Sequence, residues 1–266
     1  MKLRDSLWLW GQEPDGHGGP QYNIPTGNAI DCVQGAAWLG IPNCCRVVLQ
    51  GKPEPPFEPE SRRLQGFRQV VWSGIGDSGS KRNDGGNDDV DEVLRQARLF
   101  PNVTGCVMDD FFRAGEARIS QERMQEIRTA LHLAGLKLWL VCYDLHWPKL
   151  DKYLNFFDVI TFWTWNGDHL AQLDENLEKL QQRVPDKLRL AGCYLWNYGQ
   201  KRPLTGQEMR GQCEVFQHRL LAGDIHGVVI CSNTVLGLGI ESEQIVKDWI
   251  AAAGDLELPE KTAAQH

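Results

Sequence analysis

Val103-Thr104-Gly105-Cys106-Val107-Met108-Asp109-Asp110-Phe111-Phe112 begins as an apolar strand and ends in two adjacent carboxylates followed by two aromatics. A buried strand has no use for two acids. The end of a strand, where the chain opens into a pocket, does. The stretch reads as the fourth strand of a (β/α)8 barrel, with Asp109 and Asp110 at the C-terminal mouth where such barrels carry their sites.

The same alternation runs outward in both directions. Apolar strand-like runs are expected at Leu7–Trp10, Cys45–Leu49, Gln69–Trp72, Leu136–Tyr143, Val159–Trp163, Leu188–Tyr194 and Gly227–Cys231. Helical spacing of apolar residues is expected over Thr26–Leu39, Glu60–Phe67, Val90–Leu99, Ser120–Ala134, Trp147–Asn155, Asp168–Arg183, Thr205–Ala222 and Glu241–Ala252. Glu208, three residues after Thr205, completes a capping box, and Asp88 or Asp89 is placed to cap the helix from Val90. Eight strand–helix units in one chain of 266 residues suit a closed parallel barrel over residues 1–253, with 254–266 as a polar tail. An open doubly wound sheet fits less well. No GxGxxG follows the first strand, and no phosphate loop occurs.

The net charge of −7 gives no electrostatic case for nucleic acid or an anionic membrane, and suits a neutral substrate such as a sugar. No run approaches the ~20 apolar residues of a membrane span. Met1–Trp10 lacks the core and cleavage site of a signal peptide, which favours the cytoplasm unless a leader has been removed. Four of the eight cysteines, Cys106, Cys142, Cys193 and Cys231, sit in apolar strand-like runs, and there is no CxxC pair. Buried free thiols are therefore expected rather than a disulfide framework. The Asp77–Asp89 loop holds enough oxygen ligands for calcium but does not fit the EF-hand pattern, and reads as a solvated lid.

In a barrel the residues after each strand converge. Here they include Trp10, Gln12 and Glu13, Gln50, Trp72 and Ser73, Asp109 and Asp110, Asp144 and His146, Trp163, Trp165 and Asn166, Tyr194, Trp196 and Asn197, and Ser232 and Asn233. Pyranose C–H faces lie on indoles, and sugar hydroxyls pair with carboxylates and amides. The expected binding set is Trp10, Gln12, Trp72, Trp163, Trp165, Asn166, Tyr194, Trp196, Asn197 and Asn233. The ten tryptophans are equally able to fill a core or a lid. Neighbouring carboxylates oppose each other's ionisation, so one of Asp109 and Asp110 is set to hold a proton near neutrality. A protonated carboxyl serves as general acid toward a glycosidic oxygen. Strand alternation leaves open that only one of the two faces the pocket.

Val107-Met108-Asp109-Asp110-Phe111 resembles the paired-acid strand of TIM-barrel glycoside hydrolases. It is most similar to the retaining N-acetylhexosaminidases that use substrate assistance, in which two adjacent acids end strand four. The resemblance implies that Asp109 orients the substrate's acetamide and Asp110 is the general acid/base, with the aromatic–amide groups after strands six and seven holding the sugar. It implies no cofactor and no metal. The chitinase-type DxxDxDxE is absent. Three alternatives stay open at this stage. Asp144 could act as nucleophile with Asp110 as acid. Asp109, Asp110, Asp144 and His146 could hold a divalent metal in an isomerase or hydrolase. The barrel could also bind carbohydrate without turning it over.

Overall fold

The computed structural model describes residues 1–145 and 149–259. Among them eight parallel strands close into a barrel: β1 (Leu7–Gly11), β2 (Asn43–Arg46), β3 (Gln69–Ile75), β4 (Val103–Met108), β5 (Lys137–Cys142), β6 (Val159–Phe162), β7 (Leu188–Tyr194) and β8 (Gly227–Cys231). Each strand pairs with the next, and β1 pairs with β8 in the register Trp10↔Cys231. The helices that follow the strands are α1 (Cys32–Leu39), α2 (Glu58–Arg63), α3 (Val90–Leu99), α4 (Gln121–Leu133), α5 (Leu150–Leu154), α6 (Leu173–Arg183), α7 (Gly206–Ala222) and α8 (Glu241–Ala253). This is the TIM-barrel architecture that the alternation predicts. None of the described helices is long and apolar enough to cross a membrane.

Several boundaries differ from the sequence reading for local reasons. The second strand starts at Asn43 rather than Cys45. Its side-chain NH2 donates to the carbonyls of Asp5 and Leu7, which ties this buried polar residue to the start of β1. The first helix starts at Cys32 rather than Thr26. Asp31 accepts from the Gln34 amide at 2.8 Å and Gln34 returns the bond to Asp31 at 3.0 Å, a capping box the sequence already contains. At α3 the Asp88 side chain bonds the Val90 amide, while Asp89 is taken by Arg82 and Asn83. A 3₁₀ turn, Gly167–Gln172, precedes α6. Residues 254–258 bond back to the N-terminal segment, Leu3 to Leu256 at 2.8 Å and Leu258 to Met1 at 2.9 Å; residues from 260 onward lie outside the described set.

Most of the tryptophans fill space. Trp8 and Trp139 meet edge-on inside the barrel, with ring centroids 4.9 Å apart, and Trp10 meets Trp163 at 5.2 Å in the layer nearer the mouth. Two glycines make room for them. A Cβ on Gly105 would lie 3.0 Å from Trp139 Nε1, and one on Gly192 would lie 2.0 Å from the Trp163 ring. Trp72 faces the other way. It is fully buried beneath α2, stacks on Phe57 at 4.5 Å and donates its indole N–H to Ser61. All eight cysteines are buried and free.

Candidate active site

A cavity of about 1260 Å³ opens at the C-terminal ends of the strands. Trp10, Trp163, Tyr194 and Cys231, all buried, lie along its floor. Asp109 and Asp110 both line it. Regular strand alternation would turn consecutive residues to opposite faces. The strand stops at Met108, and Asp110 adopts a left-handed backbone with φ of 41° that brings the second carboxylate to the same cavity. Aspartate tolerates this conformation better than most residues. Phe111 anchors the turn from behind, packing edge-on against Phe112, Tyr153 and Phe157.

The two carboxyls differ in surroundings. Asp109 is buried and accepts from the Asp110 amide at 2.8 Å. Burial, then the charges of Asp110 and Asp77, push its pKa well above the ordinary aspartate range. Asp110 is half-buried and accepts from the Ser78 amide at 2.8 Å. Asp77 stands beside them with its oxygens committed: it accepts from the Gln50 and Gly79 amides and from the Ser80 hydroxyl. The loop read as a solvated lid is thereby tied to the β2 and β4 ends. Sequence reading passed over Asp77 because it lies in a Gly/Ser/Asp run without periodicity.

Arg118 holds this wall from behind. Its Nη1 donates to the carbonyls of Gly76 (2.7 Å), Asp109 (3.2 Å) and Asp110 (3.4 Å). No sequence motif marks it. Arg118→Met keeps the stem and removes the donors, and is expected to cost about 2 kcal/mol in urea denaturation, the range for hydrogen bonds to a charged group. A cost near zero would show that the carbonyls find other donors.

Of the expected set, Trp10, Gln12, Trp163, Trp165, Tyr194, Asp109 and Asp110 line the cavity, as does Gln50. Trp165 is the exposed one among its tryptophans, at 44 %. The others are placed elsewhere. Trp72 lies behind the barrel wall, as above. Asn166 caps the turn at Gly167, accepting from the Asp168 amide. Trp196 donates its indole N–H to the Tyr22 carbonyl, and Asn197 bridges Gly167, Gln200 and Asp168. Asn233 bonds both backbone atoms of Gln12 and the Ile30 carbonyl. Glu13 pairs with the buried Arg46. Asp144 is exposed and does not line the cavity; the preceding residue, Tyr143, does. His146 lies outside the described residues. Among the described residues no three His, Cys, Asp or Glu side chains gather as metal ligands do.

Residues absent from the expected set complete the cavity: His17 and Tyr22 from the loop after β1, Tyr143 after β5 and Tyr198 after β7. Burial raises the pKa of Tyr143, Tyr194 and Tyr198 well above the ordinary tyrosine value, so all three keep their protons. His17 bonds Tyr198 Oη through Nδ1 (2.9 Å) and Gln12 Nε2 through its own Nε2 (3.2 Å). Burial lowers its pKa from 6.5 to about 4. The folded protein therefore binds this proton less tightly than the unfolded chain. The resulting stability is present above pH 6.5 and is lost as pH falls through about 4. In acid melts His17→Gln should flatten that loss by on the order of 2 kcal/mol. An unchanged slope would show that His17 does not drive it.

No family model matches the chain, and no curated protein matches it in sequence. Solved structures match its fold. A GH113 β-1,4-mannanase aligns at 12 % identity and a TM-score of 0.53, covering 94 % of this chain and 99 % of that one. The catalytic domain of a family GH18 chitinase from the fern Peteris ryukyuensis aligns at 12 % and 0.53, covering 92 % and 99 %. Tryptophan synthase from M. tuberculosis aligns at 12 % and 0.52, covering 96 % and 94 %. Barrels of unrelated chemistry match equally well, so the likeness establishes the TIM-barrel fold and leaves function to the site.

Proposed function

We propose that the protein is a glycoside hydrolase working through Asp109 and Asp110. The observation that carries this reading is a buried carboxyl, Asp109, beside a second carboxyl, Asp110, in one aromatic cavity; burial and the neighbouring charges raise the pKa of Asp109. In this scheme Asp109 carries the proton. Asp109 delivers its proton to the glycosidic oxygen as the bond to the anomeric carbon breaks and the alcohol departs; water then bonds to the anomeric carbon and returns a proton to Asp109. Asp110 stabilises the positive charge that develops on the sugar, orienting an acetamide where the substrate carries one. The resemblance implies the opposite order of roles; the burial of Asp109 supports this one. Trp10, Trp163 and Tyr194 give apolar faces for the ring, and Trp165 gives one at the rim. Asp144, exposed and off the cavity, is not needed in this scheme.

The test is hydrolysis of a panel of nitrophenyl glycosides that includes the N-acetylglucosaminide and N-acetylgalactosaminide. Turnover confined to N-acetylated sugars supports substrate assistance. Turnover of plain sugars gives Asp110 a direct part, as nucleophile if the anomeric configuration is retained and as base toward water if it is inverted. Sugar binding with no turnover of any member overturns the hydrolase reading in favour of a carbohydrate-binding barrel.

A further inference from the structure

The strand order puts β8 four places from β4 in either direction around the barrel. The elements flanking β8 therefore form the wall opposite Asp109 and Asp110. That wall carries Gln12 after β1, His17 on the same loop, Tyr198 after β7, and Cys231 at the end of β8 itself. These side chains form one hydrogen-bonded series, and its polarity can be worked out.

Gln12 is fixed at its backbone by Asn233, which bonds both its N–H (2.8 Å) and its carbonyl (3.1 Å). The Ser232 hydroxyl faces Gln12 Oε1 at 3.5 Å, so the amide NH2 is turned toward His17. An NH2 group only donates, so His17 Nε2 accepts. The single proton of a neutral imidazole then sits on Nδ1 and is donated to Tyr198 Oη, 2.9 Å away. Tyr198 accepts from His17 and must direct its own proton elsewhere. The protein acceptor on hand is the Cys231 sulfur at 4.0 Å, a weak one at a long distance. Edge-on packing against His17, Tyr22 and Tyr194, with centroids 5.0–5.2 Å away, holds the ring in place.

We infer that Tyr198 is a substrate-binding residue whose hydroxyl, set by the Gln12–His17 series, donates to an acceptor oxygen on the glycon of an uncharged sugar. The inference rests on the hydrolase reading and deepens it. The acid wall accepts from the sugar's hydroxyls, and the opposite wall donates to one of its oxygens. The cationic side chains lining the cavity, Lys81 and Arg82, come from the loop after β3 on the acid side. Arg82 is already engaged by Asp89 and by the carbonyls of Gly51 and Pro53. A uronic or sialic carboxylate would face a neutral phenol and a neutral imidazole on one side and, on the other, three aspartates that outnumber Lys81. Neutral glycons are the class this cavity fits.

Two measurements test it. The first is the nitrogen NMR spectrum of ¹⁵N-histidine-labelled protein at neutral pH, with His17 assigned by its loss in His17→Gln. The expected signal is a bare Nε2 and a protonated Nδ1. A protonated Nε2 reverses the series, turns the Tyr198 hydroxyl toward His17 and overturns the inference, whether or not any glycoside is cleaved. The second compares wild type with Tyr198→Phe on the neutral glycoside that is turned over and on its monodeoxy analogues. Tyr198→Phe is expected to raise KM about tenfold on the parent, the loss of one hydrogen bond. It should cost nothing further on the one analogue that lacks the acceptor oxygen. An equal loss on every analogue marks a structural role and overturns the assignment, as does a uronide cleaved as well as the neutral sugars.

Discussion

Asp109→Asn is expected to match wild type in stability in acid, to exceed it once the pH has risen through the raised Asp109 pKa, and to be nearly inactive throughout. The sign follows from the raised pKa. Asp109 binds its proton more tightly folded than unfolded. Its contribution to stability is full below the ordinary aspartate value of 3.8 and is lost as pH rises through the raised one. Asparagine has the shape of the protonated acid, still accepts from the Asp110 amide, and never ionises. The substitution removes the loss on the alkaline side and leaves the acid side unchanged. Removing a general acid costs about 10²–10⁴-fold in rate. Thermal melts against pH, set beside turnover, check both halves. A variant less stable than wild type at alkaline pH would show that the Asp109 charge is accommodated, and the case for a proton-holding carboxyl would fall.

The second large effect is on packing. Gly192→Ala is expected to destabilise the protein by about 3 kcal/mol or more, at the upper end for overpacked cores. The added Cβ would meet Trp163 Cδ2 and Cε3 at 2.0 Å. The indole has no room to retreat: Trp10 and Tyr194 pack against it, and its N–H is bonded to Thr161 at 2.8 Å. Any shift moves the cavity floor, so sugar binding should fall with stability. Gly211→Ala is the control. It lies in α7 with nothing within 4 Å of the added carbon, and should gain roughly 0.5–1 kcal/mol from helix propensity. Equal melting temperatures for Gly192→Ala and wild type would show that the Trp163 layer yields easily.

The barrel is legible in the sequence because most of the strands bury both faces and so read as largely apolar runs, while the long helices show their own period. The site is legible only in part. Asp109 and Asp110 stand out because two acids end an apolar run, and the left-handed turn at Asp110 is what lets both reach one cavity. Trp72 and Asp144 illustrate how a shift of one residue along a strand exchanges the two faces. Trp72 turns out toward α2, and Tyr143 takes the place in the cavity that Asp144 was expected to hold. The asparagines 166, 197 and 233 have the right chemistry for sugar but are used by backbone, Asn166 within its own loop and Asn197 and Asn233 in tying neighbouring loops together. His17, Tyr198 and Arg118 leave no mark in the sequence. They act from loops without periodicity, and their partners lie far away along the chain, 181 residues in the case of His17 and Tyr198.

The most direct test of the Asp109–Asp110 mechanism is how each loss depends on the leaving group. Asp109→Asn and Asp110→Asn should be assayed on a methyl glycoside and a dinitrophenyl glycoside of the same sugar. A dinitrophenolate departs without a proton. Asp109→Asn should therefore recover to within about tenfold of wild type on the activated substrate, while Asp110→Asn stays impaired on both. Recovery of Asp110→Asn alone would restore the order the resemblance implies and contradict the assignment made from burial. Equal losses for both variants on both substrates would contradict general-acid catalysis by this pair altogether.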